Sequence, residues 1–526
     1  MEIGENQKKT VLVTGGAGFI GSHLCERLIS RGHRVICVDS FFSGKKENIE
    51  HLLDNDNFLL IKHNIINPLK KDFGHIDEIY NLACPASPVQ YQFDPVLTLK
   101  TSVFGIINML DLARRYNAKV LHTSTSEIYG DPLEHPQKEE YFGNVDSLGK
   151  RSCYDEGKRA AESLCKDYHE QYGVDVRICR LFNIYGPKMM FNDGRVISNF
   201  ILQALLGEDI TVHGDGSQTR SFMYIDDLIN AFEKIMEAPQ EKVGVGPFNL
   251  GNPDERSIAD LAQSIKEASN SQSKITYINY ETIPERLGDP QQRCPDITRA
   301  KNLFDWAPKT DFQEGLRKSI DDFRGRLNNK TKILVFVPVF LPFEGPVECA
   351  VKEIANRMPA YEFDVVTTRF KKGISAEEKI GKFNIYRLGA GNDFDKFILP
   401  FVAPFKALSL HKKNNYQAVW GIMASYGALA GVLFSYLTRV ALLVSLFEGK
   451  IKDSESSFRK MFKPIYKIIF RRAHRMQIVA ELPDEQLAWL EDDKKIQAID
   501  MAKGWDFAAK KTKEQFQELE ILTSRL

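Results

Sequence analysis

The feature that most restricts the fold of this chain is an apolar strand that runs into a glycine-rich turn and then into a helix, at residues 11–24 (VLVTGGAGFIGSHL). Gly15, Gly18 and Gly21 stand three residues apart, which allows a tight turn, close approach of the backbone to a pyrophosphate and close packing of the helix on the strand. A helix that begins near Phe19 would point its free N–H groups and the positive end of its dipole at the phosphates. The pattern predicts a dinucleotide-binding βαβ unit, and the alternative is a structural turn in another doubly wound domain.

A second strand is predicted at Arg34–Asp39 (RVICVD), and it ends in an acid about 20 residues beyond the turn. A carboxylate at Asp39 can accept a hydrogen bond from a ribose 2′-hydroxyl, and it repels a 2′-phosphate. The sequence therefore predicts NAD as the cofactor in preference to NADP.

Length and composition restrict the number of domains, the kinds of partner and the cellular location that we expect for this chain. At 526 residues the chain exceeds one core, so two or three domains are expected. Its 70 basic and 70 acidic residues cancel, so no overall field indicates a nucleic acid partner. The eight cysteines are scattered without a C-x-x-C pair, which predicts reduced thiols and no metal site. The first ten residues lack an apolar stretch, so we expect no secretory signal and a cytoplasmic protein.

Strands and helices alternate along the next hundred residues. Residues 57–63, 76–82 and 119–124 have strand patterns, and Pro95–Tyr116 has apolar residues at helical spacing. This order predicts an α/β fold with a parallel sheet covered by helices on both faces. The small-residue turn after residue 82 (ACPASP) lies at the carboxyl end of a strand, where ligands collect in such sheets.

A tyrosine and a lysine stand four residues apart on a helix predicted over residues 153–172. Tyr154 and Lys158 follow Thr125 by 29 and 33 residues, and the i, i+4 spacing places them on one helix face. An ammonium beside a phenol favours the phenolate and lowers its pKa, and the Thr125 hydroxyl can complete a relay to a substrate alcohol. A solvated surface pair is the alternative, but the preceding glycine turn favours a site that oxidises an alcohol.

Taken together, residues 10–325 resemble the UDP-glucuronate decarboxylases, or UDP-xylose synthases, of the extended short-chain dehydrogenase/reductase family. The matching stretches are TGGAGFIGSHL, LACPASPVQYQ, TSTSEIYGDPLEHPQ, RSCYDEGKRAAESL, RLFNIYGP, DGRVISNFI, GDGSQTRSFMYIDDL, NLGNP and QQRCPDI. The resemblance implies an NAD-binding Rossmann core over about 10–185 with parts of 225–250, and a small UDP-sugar subdomain mainly of 186–222 and 252–325. It also implies a homodimer paired through Pro95–Tyr116 and residues 153–172.

The resemblance further implies a reaction, the decarboxylation of UDP-glucuronate to UDP-xylose through a UDP-4-keto sugar, with NAD regenerated within the cycle. Tyr154, assisted by Thr125 and Lys158, would take the proton of the sugar C4 hydroxyl. Arg293 would orient the sugar carboxylate, for which a guanidinium is well shaped. Glu127 would act either as a proton handler or as a steering charge.

Related reactions differ at these positions. A 4,6-dehydratase carries an acid immediately after the catalytic threonine, where this chain has Ser126, and a 4-epimerase usually lacks both Glu127 and Arg293. Decarboxylation is therefore preferred. The alternatives are a UDP-glucuronate 4-epimerase and a UDP-sugar-binding scaffold that recruits a glycosyltransferase.

The resemblance also implies two sets of binding residues. The residues expected at the cofactor are Gly15, Gly18, Phe19, Ile20, Gly21, Asp39, Asn64, Leu82, Ala83, Tyr154 and Lys158. The residues expected at the substrate are Pro85, Tyr91, Asn183, Arg195, Arg220 and Arg293, and a surface ion pair is the alternative for each arginine. Asn64 stands where the family usually has an aspartate at the adenine, and Ser102 where an asparagine is typical. Asp226 and Asp227 are expected to cap the following helix.

A second Rossmann-like α/β domain is predicted after a polar linker at residues 326–331. A strand at 332–338, a loop with Gly345 and Glu348, a helix and a strand at 363–367 weakly resemble the N-terminal half of a GT-B glycosyltransferase. In that fold the second half binds the nucleotide sugar and would lie beyond Leu526, and residues 444–450 lack the expected histidine and aspartate. We therefore expect residues 332–526 to have no transferase activity alone, as a remnant, a partner-binding module or half of a split enzyme.

Two segments of this half raise the question of a membrane. Residues 418–438 contain no charged side chain, which is long enough for a spanning helix, but we interpret them as a buried strand followed by a small-residue helix that ends before Arg439. Residues 458–475 interleave basic and aromatic residues, which suits docking on an anionic membrane surface or a solvated basic face. A peripheral membrane or glycosyltransferase partner of residues 332–526, at the inner face of the membrane, is thus an expectation.

Overall fold

The computed structural model describes residues 8–191, 194–279, 290–328, 331–343, 345–358, 361–392, 394–423, 425–447, 468–469, 471–480 and 496–500, together with the helical positions 508–509, 511–512, 515–516 and 519. The chain divides into two compact units, Met1–Gly325 and Arg326–Leu526.

The first unit is built around a seven-stranded parallel sheet. The strands of this unit are β1 Thr10–Thr14, β2 Arg34–Asp39, β3 Phe58–Lys62, β4 Glu78–Asn81, β5 Lys119–Thr125, β6 Val176–Leu181, β7 Ile184–Tyr185, β8 Ile210–His213, β9 Thr219–Ser221, β10 Met223–Tyr224, β11 Phe248–Leu250, β12 Glu255–Ser257, β13 Ile275–Ile278 and β14 Gln292–Arg293. The strands are ordered β11-β6-β5-β4-β1-β2-β3. The chain adds strands first on one side of β1 and then, from β4 onward, on the other side, and doubly wound sheets bind ligands at this switch point. β1 has no exposed surface from Val11 to Val13, as expected for a central strand with helices on both faces.

Helices cover this sheet. They are α1 Phe19–Ser30, α2 Pro88–Phe93, α3 Pro95–Tyr116, α4 Ser152–Tyr172, α5 Val196–Leu206, α6 Ile225–Glu237, α7 Gln240–Val243, α8 Ile258–Ala268, α9 Thr298–Phe304 and α10 Phe312–Asn328. The Asp94 carboxylate caps α3 by accepting a hydrogen bond from the Leu97 N–H at 3.0 Å. α3 packs closely on α4 because a Cβ at Gly157 would lie only 3.0 Å from the Cβ of Ser102.

Three small sheets complete the unit, and the three-stranded one supplies two arginines to the site. β9 lies between β12 and β14, with Arg220 and Arg293 as partners in the parallel β9–β14 register. β8 pairs with β13, and β7 pairs with β10. The predicted α/β class, with a Rossmann-like sheet and smaller elements after it, is confirmed.

Two local expectations for this unit were wrong. Asp227 does not cap α6, because its carboxylate accepts hydrogen bonds from the backbone N–H groups of Lys309 and Thr310, both at 3.0 Å. Tyr224 occupies the N-cap position, and Asp226 lies in the first turn. Residues 326–328 were expected in a linker, but they form the last turn of α10. The helix is held in place by its buried apolar residues Leu316, Ile320 and Phe323.

The second unit is an eight-stranded sheet with strands β15 Thr331–Phe336, β16 Tyr361–Thr368, β17 Glu377–Ile380, β18 Phe383–Leu388, β19 Ala418–Ile422, β20 Leu442–Leu446, β21 Arg475–Ala480 and β22 Ile496–Asp500. The order is β17-β18-β16-β15-β19-β20-β21-β22, and only β17 is antiparallel to its neighbour. Its described helices of eight residues or more are α11 Pro346–Asn356, α12 Asp395–Asn414 and α13 Tyr426–Thr438. Alternate residues of β15 enter separate cores on the two faces, as in an open parallel sheet.

Residues 418–438 form β19 and α13, as interpreted from the sequence, and α13 has 13 residues where a spanning helix needs about 20. Among the described residues one helix, α3, is long and apolar enough to cross a bilayer, and half of its apolar stretch is buried within the first unit. Most of the basic segment at 458–475, and residues 448–450 of the 444–450 stretch, lie outside the described part of the chain.

Candidate active site

A cavity of about 360 Å³ opens at the carboxyl ends of β1, β4 and β5. The side chains expected at a cofactor, a sugar nucleotide and the reacting atoms all line it: Gly15, Gly18, Phe19, Ile20, Gly21, Asp39, Asn64, Leu82, Ala83, Pro85, Tyr91, Thr125, Glu127, Tyr154, Lys158, Asn183, Arg195, Arg220 and Arg293. The structure thus brings the predicted residues together.

The glycine turn leaves the backbone bare at one end of this cavity. Gly15 has a φ of +68°, and a Cβ there would lie 3.0 Å from the backbone of Ala83. A Cβ at Gly21 would overlap the carbonyl oxygen of Gly15. Gly18 is the N-cap of α1 and supplies no capping side chain, so the first N–H groups of the helix face the cavity. This cradle fits the pyrophosphate of a dinucleotide.

The acid at the end of β2 is held in a fixed orientation. The Asp39 carboxylate accepts hydrogen bonds from the N–H groups of Ala17 at 2.9 Å and Phe41 at 2.7 Å. Burial raises the pKa of Asp39, and these two hydrogen bonds oppose the rise. Asn64 also lines the cavity, and its Oδ1 accepts from the N–H of Ile66 at 3.1 Å. A buried carboxyl at this place suits a ribose hydroxyl and not a phosphate.

Tyr154 and Lys158 project from the first turns of α4 beside the end of β5. The Tyr154 hydroxyl is hydrogen-bonded to Thr125, and its ring stacks on Tyr91 with centroids 5.1 Å apart. Lys158 Nζ lies 6.0 Å from the centre of the Tyr154 ring and donates a hydrogen bond of 2.6 Å to the carbonyl of Thr123. These contacts bring a phenol, a hydroxyl and an ammonium close together at the end of β5.

The prediction that Lys158 lowers the pKa of Tyr154 was wrong for the protein alone. Burial raises the pKa of Tyr154, the neighbouring Cys84 adds to the rise, and the Thr125 hydrogen bond opposes it only in part. Burial also lowers the pKa of Lys158, which disfavours its charged form. Desolvation is therefore the largest cause of the shift in the pKa of Tyr154, and it disfavours the phenolate on which the prediction depended.

A carboxylate held by two arginines lies beside the tyrosine. Glu127 Oε1 accepts from Arg293 Nη1, and Glu127 Oε2 accepts from Arg151 Nη2. Arg293 is buried and also donates from Nη2 to the carbonyl of Gly130 at 2.9 Å. Burial alone would raise the pKa of Glu127, but the charges of Arg151, Arg293 and Arg220 outweigh it and lower the pKa to about 2. Glu127 is therefore ionised at neutral pH. One carboxylate between two guanidinium groups leaves a net positive charge, which favours an anionic ligand.

Arg151 is the functional candidate that sequence reasoning missed. It lies three residues before Tyr154, at the N-cap position of α4, and it lines the cavity. The signal was a basic residue one helical turn before the tyrosine, within a stretch already matched to the family. Asp155 is a second missed group: burial raises its pKa to about 8, with Glu127 contributing, and its Oδ1 lacks a hydrogen-bond partner among the described residues.

The remaining substrate-side residues are held by backbone carbonyls. Arg220 donates to the carbonyls of Pro290 at 2.6 Å and Gln291 at 3.2 Å. Arg195 donates to the carbonyl of Ala86 at 3.2 Å. Each of these two arginines also lines the cavity.

One group of side chains could approach a metal ion. His135, Glu255 and Cys294 bring ligand atoms within 4.8 Å of one another in the described part of the chain. His135 Nε2 and Glu255 Oε2 are already 3.1 Å apart, as an ion pair or hydrogen bond. The triad lies outside the set of residues that line the cavity.

Comparison with known proteins places this site in a family. A family model described as GDP-mannose 4,6 dehydratase matches residues 12–319. UDP-glucuronic acid decarboxylase 1 of Arabidopsis thaliana is 52% identical over 320 residues, which cover 61% of this chain and 71% of that protein. UDP-glucuronic acid decarboxylase 1 of Xenopus tropicalis is 49% identical over 328 residues, which cover 62% of this chain and 75% of that protein.

A solved structure with the same fold is a UDP-glucuronic acid 4-epimerase from Bacillus cereus in complex with UDP-glucuronic acid and NAD. It has 28% identity and a TM-score of 0.54 and covers 60% of this chain and 99% of its own. These matches concern the first unit, and the glycosyltransferase resemblance of the second unit stays a prediction. The chain belongs to the GDP-mannose 4,6 dehydratase family, and the curated proteins similar to it include several UDP-glucuronic acid decarboxylases.

Proposed function

We propose that the first unit catalyses the NAD-dependent decarboxylation of UDP-glucuronate to UDP-xylose through a UDP-4-keto sugar. The observation that carries the proposal is the position of the Arg151–Glu127–Arg293 group in the same cavity as Tyr154, Thr125 and Lys158. One side of the cavity can oxidise an alcohol, and the other can hold a carboxylate. The proposal is supported by relatives at about 50% identity that are UDP-glucuronic acid decarboxylases.

NAD, when bound, supplies the oxidation of the sugar C4 alcohol to a ketone and, after CO₂ has left, the reverse reduction. Tyr154 Oη takes the C4 hydroxyl proton in the first step and returns it in the last. Thr125, hydrogen-bonded to that phenol, aligns it with the sugar hydroxyl. Burial keeps the Tyr154 phenol protonated in the protein alone. The positive charge on the nicotinamide ring of NAD, when the cofactor is bound, would favour the phenolate.

Arg293 and Arg151 orient the sugar carboxylate. In the 4-keto acid this carboxylate is β to the ketone, so the C5–C6 bond breaks with release of CO₂ and the electron pair moves to the ketone oxygen as an enolate. A proton taken up from solvent then adds at C5, in the place that the carboxylate has left. Guanidinium groups hold a carboxylate by paired hydrogen bonds, which fixes the orientation of the C5–C6 bond relative to the ketone.

The structure favours one of the two roles left open for Glu127. With its pKa at about 2, the group is a carboxylate throughout the neutral range and has no proton to donate while it is paired with both arginines. We therefore assign it as the charge that positions the two guanidinium groups.

The direct test is incubation of the purified chain with UDP-glucuronate and NAD. We expect equal amounts of CO₂ and UDP-xylose. Formation of UDP-galacturonate without CO₂ would instead identify a UDP-glucuronate 4-epimerase, and binding without turnover would favour a scaffold. In Tyr154→Phe we expect NAD to remain bound while turnover stops; full activity of this variant would refute the assigned role.

The first unit is proposed to form a homodimer through α3 and α4. α3 exposes Val96, Leu99 and Phe104 beside its packing surface on α4, and such side chains suit a helix–helix interface. Light scattering should show a dimer for the wild-type chain and a smaller species for Phe104→Glu. Unchanged mass in this variant would place the interface elsewhere.

The second unit is proposed to have no catalysis of its own and to act through a partner. We propose that the protein works in the cytoplasm, where UDP-glucuronate would be available, and that its second unit contacts a membrane surface. A transferase assay of the full chain with UDP-xylose and candidate acceptors tests the first statement, since product formation without a second protein would contradict it.

A further inference from the structure

The second unit presents an exposed apolar surface, here called the α12–α13 face. Its members are Phe394, which precedes α12, the α12 residues Phe397, Ile398, Phe401, Val402 and Phe405, and the α13 residues Leu433, Tyr436 and Leu437. The most exposed are Phe394 at 77%, Phe401 at 71%, Phe405 at 72% and Tyr436 at 73%. Single exposed apolar residues are normal on a protein surface, but a continuous group of large ones indicates an interaction site.

The exposure follows from the pattern of α12, which is apolar on two sides. Leu399, Ala403 and Ala407 are buried in the core beneath the sheet. Phe397, Phe401 and Phe405 repeat every four residues on the opposite side, so the same helix that fills the core also displays a row of aromatic rings. A helix of this kind needs something other than water on its outer side.

A contact between two aromatic rings joins the first turns of the two helices. The Phe397 ring meets the Tyr426 ring edge-on, with centroids 5.3 Å apart, where α13 begins. The exposed residues of α12 and α13 therefore lie on two helices that pack side by side, rather than at scattered places on the surface.

Basic groups accompany these rings. Lys396 Nζ lies 5.3 Å from the centre of the Phe397 ring, and the Arg472 guanidinium lies 5.8 Å from the centre of the Tyr436 ring. Lys412 and Lys413 are exposed in the last turn of α12. A lysine or arginine beside an aromatic ring can place its charged end in water while the ring contacts an apolar phase. The boundary between lipid tails and lipid phosphates suits this arrangement.

Acidic groups are nearly missing from the same two helices. Their sequences contain one acid, Asp395, against four lysines. Asp395 is buried, and its carboxylate accepts hydrogen bonds from the N–H groups of Ala390, Gly391 and Asn392. It is therefore not presented to a partner. Lys406 is paired with Glu377 of β17 at 2.6 Å, and the other lysines leave these two helices with an excess of positive charge.

We propose that the α12–α13 face docks on the surface of an anionic lipid bilayer, with the phenylalanine rings between the acyl chains and the basic groups at the lipid phosphates. Protruding aromatic rings with a basic surround fit a fluid surface of negative charge. This surface extends the membrane contact proposed for the second unit by naming the residues, and it does not depend on the reaction of the first unit.

The test is flotation of the full chain with phosphatidylcholine vesicles that contain or lack phosphatidylserine. We expect binding to the anionic vesicles that weakens as salt is raised. Phe401→Ser and Phe405→Ser together should lower the partition coefficient by about tenfold for each ring removed. Phe142→Ser is the matched control, because Phe142 is an exposed phenylalanine in the first unit, and it should bind as the wild type does.

Decarboxylase activity with UDP-glucuronate is the control for the first unit, and we expect it to be unchanged in the double variant. A failure of the proposed reaction and a failure of the docking proposal are thus read from different measurements. If the double variant loses secondary structure by circular dichroism, Phe401→Trp replaces it: its fluorescence should be quenched by lipids brominated on the acyl chains.

Three results would overturn the proposal. They are a wild-type chain that does not float with anionic vesicles, a double variant that binds as tightly as the wild type, and a Phe401→Trp chain that bound lipid does not quench. Concentration-dependent self-association that the double variant abolishes, without vesicle binding, would assign the face to a second copy of the chain instead.

Discussion

Arg151→Met tests whether the arginine pair around Glu127 is the carboxylate-binding part of the site. Arg151 gives the largest of the charge contributions that lower the pKa of Glu127, ahead of Arg293. A hydrogen bond to a charged group contributes roughly 1.5–3 kcal/mol, which corresponds to about a 10- to 150-fold fall in kcat/KM for UDP-glucuronate. Methionine keeps much of the length and apolar volume of the arginine stem, so the loss is mainly that of charge and hydrogen bonds.

The same variant has a signature in its pH dependence. The pKa of Glu127 in the folded protein is lower than its ordinary value of 4.5, so the ionised group stabilises the fold above that value and this contribution is lost as the pH falls toward 2. Without Arg151 the pKa in the folded protein rises. The acid side of the activity profile should therefore move to higher pH.

The assay is release of CO₂ from UDP-glucuronate at several pH values, with NAD affinity measured separately. Arg324→Met is the matched control, because Arg324 is an exposed arginine of α10 paired with Asp321. A kcat/KM within about twofold of the wild type, with the same acid limb, would refute the reasoning, since a difference of that size is smaller than one such hydrogen bond.

The remaining predictions concern the framework of the site. Gly21→Ala, whose Cβ overlaps a carbonyl of the glycine turn, should weaken NAD binding more than about tenfold in a calorimetric titration, while Gly325→Ala, with open space around it, should not. Asp227→Ala leaves two backbone N–H groups without their acceptor and should lower the free energy of unfolding by about 2–4 kcal/mol in urea; Asp226→Ala is its control, and equal losses would contradict the assignment. Asp155 has a raised pKa, so its ionisation destabilises the fold as the pH rises toward about 8; the gain in thermal midpoint of Asp155→Asn should therefore grow between about pH 5 and about pH 8, and a constant gain would argue against it.

The Rossmann sheet could be predicted because its signals are local. β2 and α3 have the predicted bounds, since a β-branched run and an apolar helical period each depend on neighbouring residues alone. The glycine turn was equally readable, because only glycine fits its close approaches. The roles of Glu127 and Arg293 at the same site depended instead on the family resemblance, as these residues are far apart along the chain.

What could not be predicted depends on tertiary environment. The pKa of Tyr154 follows from burial that no spacing reveals, and Asp227 found its partners in a loop about eighty residues later. α12 was not recognised from the sequence for two reasons. Pro400 and Pro404 lie inside it, and proline usually ends a helix. Its apolar residues lie on two sides of the helix, so they do not show the single apolar face that marks an amphipathic helix.

The register of the β12–β9–β14 sheet has a consequence for how such enzymes change their substrates. Arg220 and Arg293 are partners on adjacent strands, outside the Rossmann sheet, whereas Tyr154 lies on α4 and the glycine turn follows β1. A residue exchanged in this small sheet alters which groups of a sugar nucleotide are recognised, while the redox machinery keeps its geometry. Selection, or a protein engineer, can thus redirect the acceptance of acidic sugars by working on a few residues of two short strands.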